Sequence, residues 1–276
     1  MTTQELESLS WKLRADVADI IMAGGGGHIG GDMSVLNALL VLYKNHLHIT
    51  PATVDDPDRD RFVLSKGHAM ESYYAVLADC GFLDLEDVKA RFSKFGSPYI
   101  GHPNNKLPGI EMNSGSLGHG LPVCVGMALA GRMDGRSYRV YTIMGDGELA
   151  EGSVWEGAMA AANYGLDNLC AVVDRNRLQI SGNTEEVMAQ DSQDDRWAAF
   201  GWYTLHARGN DVVDLERAFQ EAKDFRGKPT VILADTVKGC GVSFMEGKAE
   251  WHHKVPTQEE YERAKQELLE KEAAAQ

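Results

Sequence analysis

The sequence lacks the features that would place the protein in a membrane or on a nucleic acid. No apolar run is long enough to span a bilayer, and the start, MTTQELESLS, lacks the charged-then-apolar order of a signal peptide. Positive charge is scarce, because 27 Lys and Arg residues face 41 acidic residues and give a formal net charge of −14. A nucleic-acid partner requires clustered positive charge, so we expect no nucleic-acid partner. The missing apolar run likewise leads us to expect no membrane partner.

Cysteine is also scarce and does not have metal-binding spacing. The four cysteines stand far apart, without a Cys-x-x-Cys pair, at Cys80, Cys124, Cys170 and Cys240. This pattern predicts buried thiols in a reducing cytoplasm rather than a disulfide framework or a zinc site. The 276 residues, 43% hydrophobic and 25% charged, are typical of one large globular domain with a buried core.

The sequence does contain an alternation of strand-like and helix-like segments. This order predicts an α/β fold with a doubly wound, mainly parallel sheet and helices on both faces. We expect a single domain over residues 1–276, with an amino-terminal and a carboxyl-terminal helix packed on it. The first helix has one apolar stripe, and Thr257 with Glu260 forms a capping box for the last. Residues 84–108 are predicted to be irregular.

The segment from Tyr141 to Leu178 has the pattern of a βαβ unit. One apolar run ends at Gly145-Asp146-Gly147, a helical segment follows, and a second apolar run ends at Asp174-Arg175-Asn176. Both polar clusters are therefore predicted at the carboxyl edge of a parallel sheet. Alone, the first cluster is more typical of a turn and Asn176 of a helix cap. As a correctly spaced pair, Asp146 and Asn176 predict a divalent-cation site with Gly147 close to a phosphate.

Two glycine-rich segments allow more than one interpretation. The run Gly25–Gly30 satisfies G-x-G-x-x-G but follows a helix rather than a strand, so it is not a dinucleotide fingerprint. It is either a flexible turn or a loop that offers His28 to a ligand. The run Gly115–Gly120 is compatible with a helix N-cap and with a cofactor-facing loop. No P-loop signature is present.

Nine histidines and one glutamate complete the set of candidates. Four histidines stand at loop or helix-start positions, where they could bind sugar hydroxyls and phosphates and transfer protons: His28, His68, His102 and His252. The other five are interpreted as structural or peripheral: His46, His48, His119, His206 and His253. Glu151 is either a helix-start carboxylate or a buried acid at a subunit contact.

In order along nearly the whole chain, these motifs resemble the amino-terminal, diphosphate-binding domain of transketolases. The resemblance is carried by Gly27-His28-Ile29-Gly30, Leu64-Ser65-Lys66-Gly67-His68, Gly101-His102-Pro103, Gly115-Ser116-Leu117-Gly118, Gly145-Asp146-Gly147-Glu148-Leu149-Ala150-Glu151-Gly152 and Trp251-His252. Two positions depart from the usual family pattern, with Ile29 in place of proline and His119 in place of glutamine.

The resemblance implies thiamine diphosphate and Mg²⁺, or another divalent cation such as Ca²⁺ or Mn²⁺, as cofactors. The implied metal ligands are Asp146, Asn176 and the carbonyl of Leu178. The implied cofactor contacts are His68, Gly115, Ser116, Leu117, Gly145, Asp146, Gly147, Glu148, Asn176, Lys238 and His252. The implied catalytic residues are His28, His68, His102, His252 and Glu151, the last as part of a carboxylate link between two cofactor sites.

The resemblance also implies a function and a partner. In this family the pyrimidine-binding domain follows the diphosphate-binding one, and we expect it on a separate carboxyl-terminal subunit because the sequence ends at Gln276. The pair, as an α2β2 assembly, would transfer a two-carbon ketol unit from a ketose phosphate to an aldose. The sugars could be pentose phosphates, branched sugars or sulfosugars.

Three alternatives to this function remain open from the sequence. The chain could be the α subunit of a 2-oxoacid dehydrogenase E1 component or a deoxyxylulose-phosphate synthase. It could also be a non-catalytic homologue that only binds a partner. The four histidines favour a transketolase, because binding sugar hydroxyls uses groups that decarboxylation does not require.

Overall fold

The computed structural model describes all residues from 1 to 276. The helices are α1 (Thr3–Gly24), α2 (Ile29–Val41), α3 (Met70–Asp79), α4 (Leu85–Arg91), α5 (Gly120–Met133), α6 (Gly152–Asn163), α7 (Thr184–Val187), α8 (Gln193–Ala199), α9 (Val212–Asp224) and α10 (Gln258–Ala275). The strands are β1 (Arg61–Leu64), β2 (Val140–Gly145), β3 (Leu169–Arg175), β4 (Tyr203–Arg208) and β5 (Thr230–Asp235). A π-helical turn at Leu42–His46 extends α2, and short 3₁₀ helices occupy Pro51–Thr53, Gly147–Ala150 and Ala249–Trp251.

The five strands form one sheet in the order β1-β2-β3-β5-β4, and every neighbouring pair is parallel. Gly145 at the end of β2 pairs with Asp174 of β3, and Arg175 pairs with Asp235 of β5. The chain therefore leaves β2, β3 and β5 at the same edge of the sheet. The loops that follow these central strands meet there, as expected for an open α/β sheet.

Helices cover both faces of this sheet, as the sequence predicts. In β3, Cys170 and Val172 belong to an apolar core shared with α1, α2, α3 and α9. Leu169, Ala171 and Val173 belong to a second core, shared with α5, α6 and α8. Because both faces are buried, the central strands are continuous apolar runs. Each fully buried aliphatic side chain contributes about 1.5–3 kcal/mol to folding, so these strands hold the loops at their ends firmly.

The first and last helices pack against each other. Leu268 and Ala264 of α10 are fully buried, and Lys265 forms an ion pair with Asp19 of α1 at 2.6 Å. The predicted capping box is present, because the Thr257 hydroxyl accepts from the Glu260 amide while the Glu260 carboxylate accepts from the Thr257 amide. The carboxyl-terminal helix is therefore an integral part of the packed structure.

One segment differs from the prediction. Helix α4 lies within residues 84–108, which were expected to be irregular, and is capped by the Asp84 side chain, which accepts from the Asp87 amide at 2.9 Å. Helix α2 begins at Ile29, within the run Gly25–Gly30, and the glycines in its first turn are buried against the rest of the fold. Helices α3 and α5 each begin after a glycine-containing loop that is not helical.

All four cysteines are free thiols, and three of them are buried. No helix is both long and apolar enough to cross a membrane.

We predict that two adjacent leucines of α10 differ sharply in their contribution to stability. Leu268 is fully buried, whereas Leu269 is 49% exposed. Leu268→Ala should lower the free energy of unfolding by about 2–5 kcal/mol, because it leaves a cavity between α10 and α1. Leu269→Ala should change it by at most about 0.5 kcal/mol. Chemical denaturation of the two variants measures this, and equal losses would contradict the packing of α10.

Candidate functional site

A cavity of about 370 Å³ opens at the carboxyl edge of the sheet, where the loops after β1, β2, β3 and β5 meet. It is lined by most of the residues that the sequence singled out: His28, His68, His102, Gly115, Leu117, Gly145, Asp146, Gly147, Glu148, Asn176, Leu178, Lys238 and His252. Segments that are more than 200 residues apart in the chain therefore form one site.

Asp146 and Asn176 lie together on one side of this cavity. The Asp146 carboxylate accepts the amide of Arg177, the residue after Asn176, at 2.5 Å and the amide of Gly147 at 2.8 Å. Burial, and then the nearby charge of Asp174, raise the pKa of Asp146 to about 6. The side-chain oxygen of Asn176 accepts the amide of Leu178 at 3.1 Å. The predicted convergence of the two strand ends is therefore present.

Asp174 holds this side of the cavity in place, a role that the sequence did not reveal. Its carboxylate is buried and accepts the Ser34 hydroxyl at 2.6 Å and the Asn176 amide group at 3.5 Å. It also accepts the Thr236 hydroxyl and forms an ion pair with Lys66. Asp174 thus links four segments of the chain and orients the amide oxygen of Asn176 toward Leu178.

Two buried lysines bring positive charge to the same cavity. Lys66 donates to the Gly31 carbonyl at 3.2 Å in addition to its ion pair with Asp174. Lys238 forms no ion pair; it donates to the Leu178 carbonyl at 3.3 Å and lies 2.9 Å from Nδ1 of His252. Burial, reinforced by Lys66, lowers the pKa of Lys238 to about 8. An anion in the cavity could therefore pair with the ammonium of Lys238, which has no carboxylate partner.

Four histidine rings face the cavity from the other side. The ring of His28 lies 5.2 Å from that of His68, 6.1 Å from that of His102 and 5.5 Å from that of His252. Burial is the main cause that lowers their pKa values, to about 4 for His28 and about 3 for His252. These imidazoles are consequently neutral near pH 7. Each can donate one hydrogen bond and accept another, as recognition of hydroxyl groups requires.

His253 is closer to this cluster than its interpretation as a peripheral residue suggested. Its ring lies 4.6 Å from that of His28, edge to face, although the side chain is exposed. The sequence offered one weak indication of this position, because His253 directly follows the motif Trp251-His252. By contrast, His46 is buried next to Glu216, and His206 pairs with Asp194 on the surface.

Glu148 connects the glycine loops around the cavity. Its buried carboxylate accepts the amides of Gly118 at 2.8 Å and Gly145 at 3.1 Å and the hydroxyl of Ser65. Burial raises its pKa above the ordinary value. Gly115 has a φ of +149°, and a β-carbon there would lie 2.9 Å from the His102 ring. Glycine at this position therefore lets the loop approach the cavity beside His102.

Two predicted residues do not line the cavity. Ser116 is exposed, although Gly115 and Leu117 on either side of it line the cavity. Glu151 is the N-cap residue of α6, is exposed, and makes no capping hydrogen bond with its side chain. An exposed helix-start carboxylate is one of the two alternatives that the sequence left open.

Residues without a motif also line the cavity. They are Gly31, Gln179, Ile180 and Ser181. The last three belong to a tight loop in which the Gln179 amide donates to the Gly182 carbonyl at 2.8 Å. Ile180 is 75% exposed at the mouth of the cavity. No spacing rule identifies these three residues, since they reach the site through a loop rather than a strand end.

The residues present fit a diphosphate group and a divalent cation. The chain has no cluster of three or more His, Cys, Asp or Glu side chains that could hold a metal by itself. A cation here would have one carboxylate, one amide oxygen and one carbonyl from the protein, which leaves positions for ligand oxygens, as Mg²⁺ prefers. The ammonium of Lys238, which no carboxylate partners, and the glycine backbone at Gly147 suit the diphosphate.

Comparisons with known proteins agree with this geometry. A family model described as "Transketolase, thiamine diphosphate binding domain" matches residues 7–273. An apulose-4-phosphate transketolase subunit of Phocaeicola vulgatus is 49% identical over 98% of this chain and 96% of its own length. The 6-deoxy-6-sulfo-D-fructose transketolase subunit SqwG of a Clostridium species is 41% identical over 91% of this chain and 90% of its own.

A solved structure agrees as well. The crystal structure of transketolase from Campylobacter jejuni superposes with a TM-score of 0.91 at 30% identity and covers 97% of this chain. This chain spans 43% of that longer protein. The family model, the subunit relatives and the fold all agree. The chain therefore belongs to the transketolase family and corresponds to its thiamine diphosphate-binding domain.

Proposed function

We propose that this chain is the diphosphate-binding subunit of a two-subunit transketolase, with residues 1–276 forming a single domain. The enzyme transfers a two-carbon ketol unit from a ketose phosphate to an aldose acceptor. The observation that carries this proposal is the cavity in which Asp146 and Asn176 face four neutral histidines. One side suits a metal–diphosphate group, and the other suits the hydroxyls of a sugar.

We assign the cation to the Asp146 carboxylate, the Asn176 side-chain oxygen and the Leu178 carbonyl. Magnesium is the expected ion, although Ca²⁺ or Mn²⁺ satisfies the same oxygen ligands. Gly147, Lys238 and His252 would hold the diphosphate, while Gly115 and Leu117 would line the ring system. When bound, thiamine diphosphate supplies an electron sink for the carbon–carbon bond that is cleaved and formed.

The protein's own contribution to the reaction lies in the histidines. Burial keeps His28, His68 and His252 neutral, so each can accept a proton from one substrate hydroxyl and return it later. His102 is half buried and reaches the cavity from the loop before α5, where it would orient a substrate hydroxyl. We assign Glu151, which is exposed, to contacts with another subunit rather than to the reacting groups.

We further propose that a separate subunit completes the site. Two relatives that match this chain over nearly their whole lengths are themselves named as transketolase subunits. The partner would carry the pyrimidine-binding domain, and an α2β2 assembly would bring two of each chain together. Four free cysteines support a cytoplasmic location.

The alternatives from the sequence are less well supported. The family match and the named relatives are transketolases, so an E1 α subunit has no support here. The fit of the cavity argues against a non-catalytic homologue. The names of two relatives mention apulose-4-phosphate and 6-deoxy-6-sulfo-D-fructose, so the donor assay should include both, alongside a pentose phosphate.

We predict that catalysis requires both chains. The purified chain mixed with the pyrimidine-side subunit, thiamine diphosphate and Mg²⁺ should transfer ketol units, and each chain alone should not. A coupled assay that follows the aldose product from each of the three donors measures this. The same mixture should not release CO₂ from a 2-oxoacid. Activity of the isolated chain, or decarboxylation without transfer, would contradict the proposal.

Replacing Asp146 should prevent cofactor binding. Asp146→Ala removes the only carboxylate that we assign to the cation, so affinity for thiamine diphosphate with Mg²⁺ should fall by at least about 10²-fold. Calorimetric titration of the two-subunit complex measures this, with circular dichroism to check folding. Asp58→Ala, which removes an exposed carboxylate paired with Arg136, is the control and should bind normally. Unchanged affinity in Asp146→Ala would refute the assigned cation site.

Replacing His102 should affect turnover but not cofactor binding. His102→Ala should reduce kcat/KM by about 10²-fold, because it removes a group that orients or protonates the substrate. Its affinity for the cofactor should stay close to that of the unmodified chain. His206→Ala is the matched control, since that imidazole is exposed and pairs with Asp194 outside the cavity. Loss of cofactor with normal turnover per bound cofactor would reverse the assignment.

A further inference from the structure

Two buried carboxyl groups meet behind the histidines and have no role in the site described above. Asp32 lies in the first turn of α2 and Glu71 in the first turn of α3, and both are 0% exposed. Neither residue lines the cavity. Asp32 follows His28 by four residues, and Glu71 follows His68 by three. Each acid therefore follows, by three or four residues, one of two histidines whose rings are 5.2 Å apart.

Hydrogen bonds already join these two helix starts through Asp32. Its Oδ1 accepts the Ser72 amide at 2.8 Å, and its carbonyl accepts the Ser72 hydroxyl at 2.9 Å. The other oxygen of Asp32 and both oxygens of Glu71 are buried and have no donor. Leaving such atoms without a partner costs about 1–3 kcal/mol each. The missing donor must come from the pair itself or from a trapped water.

A proton shared by the pair supplies that donor. As two carboxylates, neither side chain can donate to the other, but they are close enough to hydrogen-bond once one of them is protonated. Burial raises the pKa of Asp32 to about 7, and burial together with the charge of Asp32 raises the pKa of Glu71 well above its ordinary value. Because like charges repel each other strongly in a buried site, ionisation of one carboxyl opposes ionisation of the other.

The loop that carries His28 rests directly on this pair. A β-carbon on Gly27 would lie 2.8 Å from Oε1 of Glu71 and 2.6 Å from the Ile21 side chain. The Glu71 carboxyl thus fills the space beneath the backbone of Gly27, next to His28. A change in its position or charge would move that backbone.

We propose that the carboxyls of Asp32 and Glu71 share one proton and act as positioning residues that fix the spacing of His28 and His68. The consequence for turnover rests on the proposed function of the histidines. When the shared proton is lost at alkaline pH, repulsion between the two carboxylates displaces the first turns of α2 and α3. The histidines then lose their alignment with the substrate.

Few other charged groups act on this pair. Lys66 faces Asp32 from the loop after β1 and favours its ionised form. Tyr74, three residues beyond Glu71 on α3, is affected by the charge of Glu71. Helix α1 contributes the apolar Ile21 on the side of Gly27. The response to pH therefore belongs to the pair and its Lys66 neighbour.

The shared proton can be tested without any assay of activity. Infrared spectra of the full chain at pH 7, with carboxyl carbons labelled in Asp and Glu, should contain a carboxylic acid band that the D32N/E71Q double variant lacks. D60N is the control and should retain the band. Its carboxylate is also buried, but it accepts the amides of His48 and Arg139 at the other edge of the sheet. Identical spectra for the unmodified chain and the double variant would overturn the shared proton.

The positioning role is tested by the pH profile of the two-subunit enzyme. For the unmodified enzyme, kcat/KM should fall on the alkaline side by about tenfold per pH unit once the proton is lost. E71Q should restore the hydrogen bond with an amide that cannot ionise, so its pH profile should lack the part of the alkaline fall that the pair causes. E71A should be about 10²-fold slower at every pH, because it removes support for the histidines. D60N should keep the unmodified profile.

The outcomes separate this inference from the proposed function. If E71Q does not fold, D32N makes the same test from the other side of the pair. Matching pH profiles for the unmodified enzyme and the folded conservative variant would overturn the positioning role. An enzyme without ketol transfer would instead contradict the proposed function, and the infrared result would still decide whether the proton is shared.

Discussion

Parallel pairing of β3 with β2 on one side and β5 on the other is the constraint on which the site depends. It brings the ends of three strands to one edge, so that Asp146, Asn176 and Lys238 become neighbours. Asp174, at the end of β3, then joins these loops through the Ser34 hydroxyl, Lys66 and Thr236. Burying this carboxylate is tolerated because each of its oxygens is paired.

The two sides of the cavity differ in their electrostatic character because they differ in their partners. The side formed by the strand ends contains charged groups, among them the buried carboxylate of Asp146 and the ammonium of Lys238, which has no carboxylate partner. The opposite side contains imidazoles that burial keeps neutral. A polar ligand with a charged end and a hydroxyl-rich end would match both sides. Differences in charge and hydrogen-bond partners therefore separate a binding region from a region suited to proton transfer.

The sequence predicted those parts of the structure that follow from periodicity and from strand ends. The βαβ unit around Asp146 and Asn176 was predicted because apolar runs and polar clusters mark strand ends directly. The capping box at Thr257 was predicted for a similarly local reason. The roles of Lys66 and Asp174 were not predicted, since a buried ion pair between residues 108 positions apart has no local signature. His253 and the loop at Gln179 were missed because loop conformation depends on tertiary packing.

The central claim is that the oxygens of Asp146, Asn176 and Leu178 bind one cation next to a diphosphate. Anomalous X-ray diffraction from crystals of the two-subunit complex with thiamine diphosphate and Mn²⁺ tests it most directly. We expect one manganese peak within bonding distance of all three oxygens and of the diphosphate. A peak bound by other residues, or a bound cofactor with no metal between it and Asp146, would contradict the account.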